Sequence, residues 1–223
     1  MKTLLLGVAF TALFAAPSFA ALKVGDTAPD FTATASLGGK DFTFHLNDAL
    51  KKGPVVVYFY PSAYTGGCDL EAHTFAENHE KFDAAGASII GVSADNLERL
   101  NQFSADPNFC AGKFPIASDE SLKIAKSYDL KTTPAKAGQK DVRGVEIGHG
   151  FIERVTFVVG KDHKIMAVMS SADDKIKPDE HVFKSLAMVE HMKRSAPVFA
   201  PDRCYGHLPH QHAPHARGRE CTT

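Results

Sequence analysis

The chain has 223 residues, a formal net charge of −1, 44% hydrophobic and 23% charged residues, and four cysteines. That length suits one domain with a sizeable core, and the composition is that of a soluble globular protein. A charge so close to zero gives no attraction to a polyanion, so nucleic acid is not an expected partner.

Residues 1–20 read as a secretory signal. Lys2 supplies a positive start, residues 4–16 are apolar, and Ser18-Phe19-Ala20 puts small residues at the cleavage positions. The apolar run is too short for a comfortable membrane span, so no membrane association is expected once it is removed. Cleavage would leave a mature chain starting at Ala21, with net charge −2 because Lys2 is the only charge lost. Export would place Cys68, Cys110, Cys204 and Cys221 where disulfides persist; the expected compartment is a bacterial periplasm.

In residues 21–52, Phe31-Thr32-Ala33-Thr34 and Phe42-Thr43-Phe44 alternate around Leu37-Gly38-Gly39, which predicts a hairpin, and Lys51-Lys52-Gly53 reads as a turn. Residues 55–60 are an unbroken apolar run closed by Pro61, a strand covered on both faces. A loop over 62–67 leads into a helix over about 65–85, stopped by Gly86. Residues 88–93 are the next strand, and Asp95 is placed to cap a helix through about Ser104. This order implies a parallel strand pair with a right-handed crossover. Asp106-Pro107-Asn108 breaks that helix and leaves Cys110 in the turn that follows.

Asp119 or Ser118 should cap a helix over about 120–128, and residues 131–150 read as surface loop. Residues 151–159 and 164–169 predict a hairpin across Gly160-Lys161-Asp162-His163. Residues 178–193 form an amphipathic helix with acids first and bases last, matching its dipole. From 195 to 223 prolines and histidines recur and little could be buried, so this is read as a flexible tail. The division is thus a signal at 1–20, one α/β domain at 21–194, and a tail at 195–223.

Cys68 falls where the buried strand's loop meets its helix. Free N–H groups and the positive end of the dipole should stabilise a thiolate there and lower the thiol below its usual value of about 8.5. Thr65 is placed to cap that helix and to aim its hydroxyl at whatever approaches the sulfur. A buried structural cysteine is the alternative.

Pro61, Thr65 and Cys68 in the frame P-x-x-x-T-x-x-C resemble the active-site motif of the peroxiredoxins, thiol peroxidases of the thioredoxin superfold. VGDTAPDF at 24–31, IIGVSAD at 89–95, FPIASD at 114–119 and RVTFVV at 154–159 follow that family's order, so the resemblance covers roughly residues 22–192. It is nearest the bacterioferritin-comigratory branch, though His73 stands where that branch often has a second cysteine. The resemblance implies a thioredoxin-like α/β fold, a central mixed sheet flanked by helices in a single domain. It implies peroxide as substrate, an external thiol or dithiol as reductant, no cofactor, and a monomer or homodimer. Cys68 would be the nucleophile that becomes a sulfenic acid. Thr65 and Arg154 would hold the peroxide oxygens, with Arg143 the rival arginine, and Pro61 would shelter the sulfur. Gly66-Gly67 departs from the family's bulkier residue and should loosen the loop.

Cys110 is the candidate resolving thiol, able to swing towards Cys68 from a loop; a buried Cys110 beside Phe109 and Phe114 is the alternative. Cys204 and Cys221 could pair with each other or resolve Cys68 from the tail. His207, His210, His212 and His215 are weak metal-ligand candidates. Two other functions compete with the peroxidase. One is a non-enzymatic redoxin-like binding domain whose His-rich tail handles metal. The other is a thiol–disulfide oxidoreductase, which would need a C-x-x-C pair; Cys68 is followed by Asp69, Leu70 and Glu71.

Overall fold

The hairpin at the N-terminal end follows from alternation about two glycines. Strands β1 (Thr32–Leu37) and β2 (Lys40–His45) pair antiparallel, and Gly38 and Gly39 turn between them with φ of 58° and 78°. The protein is described by a computed structural model for residues 21–195. The signal over 1–20, Cys204, Cys221 and the tail histidines lie outside the described residues.

A short helix, α1 (Leu46–Lys52), was not expected; it takes in Lys51 and Lys52 of the expected turn at 51–53. Only Leu46 and Leu50 of it are buried, four residues apart, too few to show a helical stripe. Strand β3 (Val55–Phe59) is buried along its whole length. Val55, Val57 and Phe59 enter one apolar core, and Val56 and Tyr58 enter the other. A strand that alternates between two cores must be apolar at every position, and this one is.

Helix α2 (Gly66–Ala84) then leads to β4 (Ser88–Ser93), which lies parallel to β3. Helix α3 (Leu97–Ala105) is capped by Asn96, whose side chain accepts from the Arg99 N–H at 2.9 Å. The cap expected of Asp95 therefore falls one residue later, and Asp95 is buried instead. Cys110 sits in the turn after α3, and β5 (Ile116–Ser118) runs parallel to β4.

Helix α4 is shorter than its pattern implied, Lys123–Ser127, because Leu122 takes a left-handed φ of 57° and delays its start. The loop that follows is closed by one short strand pair: β6 (Thr132–Thr133) bonds to β7 (Phe151–Ile152) outside the main sheet. The strand expected over 151–159 is thus broken, with Glu153 and Arg154 between β7 and β8 (Val155–Val159). Strand β8 pairs with β9 (Ile165–Ser170), as the hairpin reading required. Helix α5 (Pro178–Ser195) ends the described chain.

Among the described residues the main sheet has seven strands in the order β2-β1-β5-β4-β3-β8-β9. It is mixed: β3, β4 and β5 are parallel, and the others run antiparallel to their neighbours. Cys68 on α2 and Val182, Leu186 and Val189 on α5 belong to one core; Leu46 and Leu50 of α1 and Ala125 of α4 belong to the other. The central position of β3 puts its C-terminal end, where Pro61 follows, between the ends of β4 and β8. That is where open α/β sheets carry their sites.

Candidate functional site

Residues 61–68 cross the top of β3 and enter α2. Thr65 is the residue before the helix, and the N–H groups of Cys68 and Asp69 both donate to its carbonyl, at 2.8 and 2.9 Å. Its hydroxyl does not cap the helix, contrary to expectation; it donates to the Ser62 carbonyl at 2.8 Å. The hydroxyl is thereby fixed on the loop side, beside the sulfur.

Cys68 is the third residue of α2 and only 2% exposed. Arg154, the residue just before β8, reaches across, and its Nη2 donates to Cys68 Sγ at 3.1 Å. The same guanidinium pairs through Nη1 with Glu71, one helical turn along from the cysteine. Glu71 is fully buried, so burial pushes its carboxyl up to about 7 while Arg154 pulls it down.

The thiol does not follow its helix-terminus expectation. Burial pushes Cys68 above its ordinary value, and Glu71 pushes the same way. Arg154, the Thr65 hydroxyl and the Ser62 backbone N–H pull it down without overcoming burial. A sulfur at the end of a helix gains from the dipole only what it does not lose in hydration.

Gly66 and Gly67 are the first two residues of α2 and not a loosened loop. A Cβ on Gly67 would lie 3.3 Å from Arg154 Nη2 and 3.3 Å from Pro178 Cγ, so the bare backbone admits both the guanidinium and the start of α5. Pro61 is half-buried and ends β3. Arg154, not Arg143, is the arginine bonded to the sulfur, and Arg143 is engaged by other partners. Its guanidinium lies 3.3 Å from the centre of the Tyr64 ring and bonds to Asp141 and Gln102.

Cys110 is fully buried in the same apolar cluster as Cys68, together with Phe114 and against Phe109. It lies in a turn, but its side chain is not at the surface, and burial pushes its thiol well above the ordinary range. His73 binds that turn to α2 through a bond between its Nδ1 and the Asn108 carbonyl, at 3.0 Å. Both thiols are free.

Three contributors had no local signature. Glu71 is 83 residues from Arg154, so nothing near it in the chain marks its partner. His181 of α5 is fully buried behind Arg154, held between the Thr156 and Ser171 hydroxyls at 2.9 Å each. Asp95 binds the loop from below: Ala63 N–H donates to it at 2.8 Å and Ser62 Oγ at 2.8 Å.

Residues 24–168 match the AhpC/TSA family. This chain belongs to that family. Among its relatives is peroxiredoxin Bcp of Bacillus subtilis, 31% identical over 171 residues that cover 77% of this chain and 97% of that protein. Peroxiredoxin Q of Sedum lineare chloroplasts is 29% identical, over 78% of this chain and 82% of its own. The crystal structure of peroxidoxin BcpB from Mycobacterium tuberculosis superposes with a TM-score of 0.61 and 28% identity, covering 77% of this chain and 98% of that one. The fold is accordingly the thioredoxin-like fold of the peroxiredoxins, in the neighbourhood of the bacterioferritin-comigratory branch, as the motif order implied.

Proposed function

We infer that this peroxiredoxin is a thiol-dependent peroxidase whose nucleophile is Cys68. The observation that carries this reading is the Arg154 Nη2 contact with Cys68 Sγ, 3.1 Å long, beside the Thr65 hydroxyl at the head of α2. The thiolate attacks one peroxide oxygen as the O–O bond breaks. The other oxygen leaves with the bonding electrons, takes up a proton, and departs as water or an alcohol. Cys68 is left as a sulfenic acid. Arg154 and the Thr65 hydroxyl act on the oxygens as charge moves onto them, where stabilisation raises the rate. The ion pair with Glu71 holds the guanidinium in place for both tasks.

Resolution falls to Cys110. Its thiolate attacks the Cys68 sulfur, the sulfenic oxygen leaves as water, and a disulfide forms that an external thiol or dithiol reduces. The two sulfurs share one core cluster, and the first turn of α2 and the turn at 106–112 must open for them to meet. The reading extends to an exported protein, with residues 1–20 as its signal and the bacterial periplasm as its compartment. The single domain acts as a monomer or homodimer on hydrogen peroxide and small organic hydroperoxides.

The test is intact-mass measurement of the mature protein after one equivalent of hydrogen peroxide, with and without a sulfenic-acid trap. Wild type should gain a Cys68–Cys110 disulfide, lost in Cys68→Ser and in Cys110→Ser, with the trap captured in Cys110→Ser alone. Trapping at Cys68 in wild type without that disulfide would move resolution to another thiol. An unreacted Cys68 would overturn the peroxidase reading.

A further inference from the structure

Beneath the loop that carries Thr65 lies a buried polar lattice centred on Asp95. Its carboxylate accepts from Ser62 Oγ at 2.8 Å, from the Ala63 N–H at 2.8 Å and from Ser93 Oγ at 2.7 Å. Arg99 pairs with it through Nε at 2.8 Å, and Arg99 Nη2 also donates to the Ala63 carbonyl at 2.8 Å. Asp95 thus grips two successive residues of the loop. The grip passes directly to the reacting atoms: Ser62 accepts the Thr65 hydroxyl on its carbonyl, and its N–H lowers the Cys68 thiol.

The remaining partner of Asp95 is His149. Its Nε2 lies 2.7 Å from Asp95 Oδ1, and its Nδ1 lies 2.7 Å from the Gly150 carbonyl. Both partners are acceptors. An Asp95 carboxyl surrounded by donors has no reason to take a proton, and it is held below the ordinary carboxylate range. Both ring nitrogens must therefore donate, which only the imidazolium can do. The other charged groups facing the ring are of both signs. Arg99 of α3 opposes a charge there. Across an adjoining cavity of about 340 Å³, Glu98, Glu120 and Glu146 favour it and Arg143 does not. On balance, the proton on His149 is held more tightly than usual, chiefly by Asp95 acting against burial.

We propose that His149 is a positioning residue of this peroxidase. As an imidazolium it locks Asp95, and Asp95 locks Ser62 and Ala63 in the position from which Thr65 and the Ser62 N–H serve the sulfur. When the proton leaves, one ring nitrogen presents a lone pair to an acceptor 2.7 Å away. That contact is repulsive, and the loop loses its anchor. Peroxide reactivity then depends on two protons in opposite senses. Cys68 must lose one and His149 must keep one, so the rate constant with peroxide passes through a maximum as pH rises.

The inference rests on the peroxidase reading, and its test separates the two. The rate constant for hydrogen peroxide is measured by stopped flow from pH 5 to 10 in wild type, His149→Gln and His149→Phe. In parallel, iodoacetamide alkylation gives the Cys68 thiol midpoint, and nitrogen-15 NMR of the histidines gives the His149 protonation state.

Wild type should show the maximum, with its descending limb at the pH where the His149 signals titrate. His149→Gln keeps a donor for Asp95 that does not titrate. It should lose the descending limb and about threefold in rate near neutrality, whereas His149→Phe should lose about thirtyfold. The thiol midpoint should stay where it is in His149→Gln. The proposal is overturned by a profile for His149→Gln that superimposes on wild type, or by a shift in thiol midpoint that accounts for the change. It is also overturned if the imidazole is already neutral at pH 7, a result that holds whatever the peroxide chemistry. Failure of wild type to react at any pH would instead overturn the peroxidase reading, and the positioning role with it.

Discussion

Arg154 stands between three groups whose charges it sets. It touches the Cys68 sulfur, pairs with Glu71, and opposes a proton on His181. Arg154 lowers both Glu71 and His181, but burial drives them in opposite directions. Burial first, and Arg154 second, lower His181 to about 4, so the folded protein keeps it neutral. Its contribution to stability is complete above about pH 6.5 and is lost as pH falls towards 4. Burial raises Glu71 to about 7, so the folded protein holds that proton more tightly than the unfolded chain. Its contribution is present at pH 4.5 and is lost as pH rises through 7. Between pH 7 and 5 the two offset each other. Replacing His181 by Gln should therefore give a protein whose melting temperature rises by a few degrees on acidification over that range, and Glu71→Gln one whose melting temperature falls by a similar amount. Calorimetry at pH 7, 6 and 5 decides it; equal slopes in both variants would show that these two groups do not carry the dependence.

The start of α2 shows how an element serves a site by what it omits. Gly67 has helical backbone, so Ala fits its conformation and favours the helix. A methyl group there would nevertheless meet Arg154 Nη2 and Pro178 Cγ at 3.3 Å. Gly67→Ala should leave the melting temperature within about 2 °C of wild type while lowering the rate constant with peroxide about tenfold, because the guanidinium is moved off the sulfur. Stopped-flow rates beside thermal melts check this; an unchanged rate would mean that Arg154 tolerates the displacement. The element was legible in the sequence through its strand, its breaker and its cysteine, all within fifteen residues. Its chemistry was less so. A helix terminus predicts a lowered thiol only while the sulfur is wet, and burial at 2% exposure depends on packing that no local pattern records.

At the scale of the molecule, what was readable is what lies close in the chain. The all-apolar β3, the two-residue turn between β1 and β2, and the charge gradient of α5 each announce themselves within one element. The seven-stranded mixed sheet follows from a family order of five fragments. What escaped is polar and distant. Asp95 looks like a helix cap because Asn96 and α3 follow it, yet its partners are Ser62, 33 residues before, and His149, 54 residues after. The break between β7 and β8 escaped for a similar reason: Glu153 leaves the alternating pattern to bond the Lys131 N–H at 2.7 Å. Buried polar groups choose partners by where the sheet brings them.

Helix α5 meets α2 at both of its ends. Pro178 rests against Gly67 at the beginning, and Lys193 Nζ donates to the Ala84 carbonyl at 2.6 Å at the finish. The two fastenings differ in kind. The far one is a charge-assisted bond to a helix terminus, and the near one is a close apolar approach, beside which Arg154 supplies the polar hold on Cys68 and Glu71. In mechanical terms α2 is a beam tied to α5 at its tail and held at its head by one side chain from beside β8, Arg154, so thermal energy peels it from the cysteine end whenever that side chain lets go. Hydrogen–deuterium exchange should record a gradient along it, with amides 69–72 exchanging at least tenfold faster than amides 78–82, and Lys193→Ala should flatten the gradient by freeing the tail. A uniform exchange rate along α2 would mean that the helix opens as one piece. Redox chemistry at Cys68 would then draw on the stability of the whole helix rather than on its first turn.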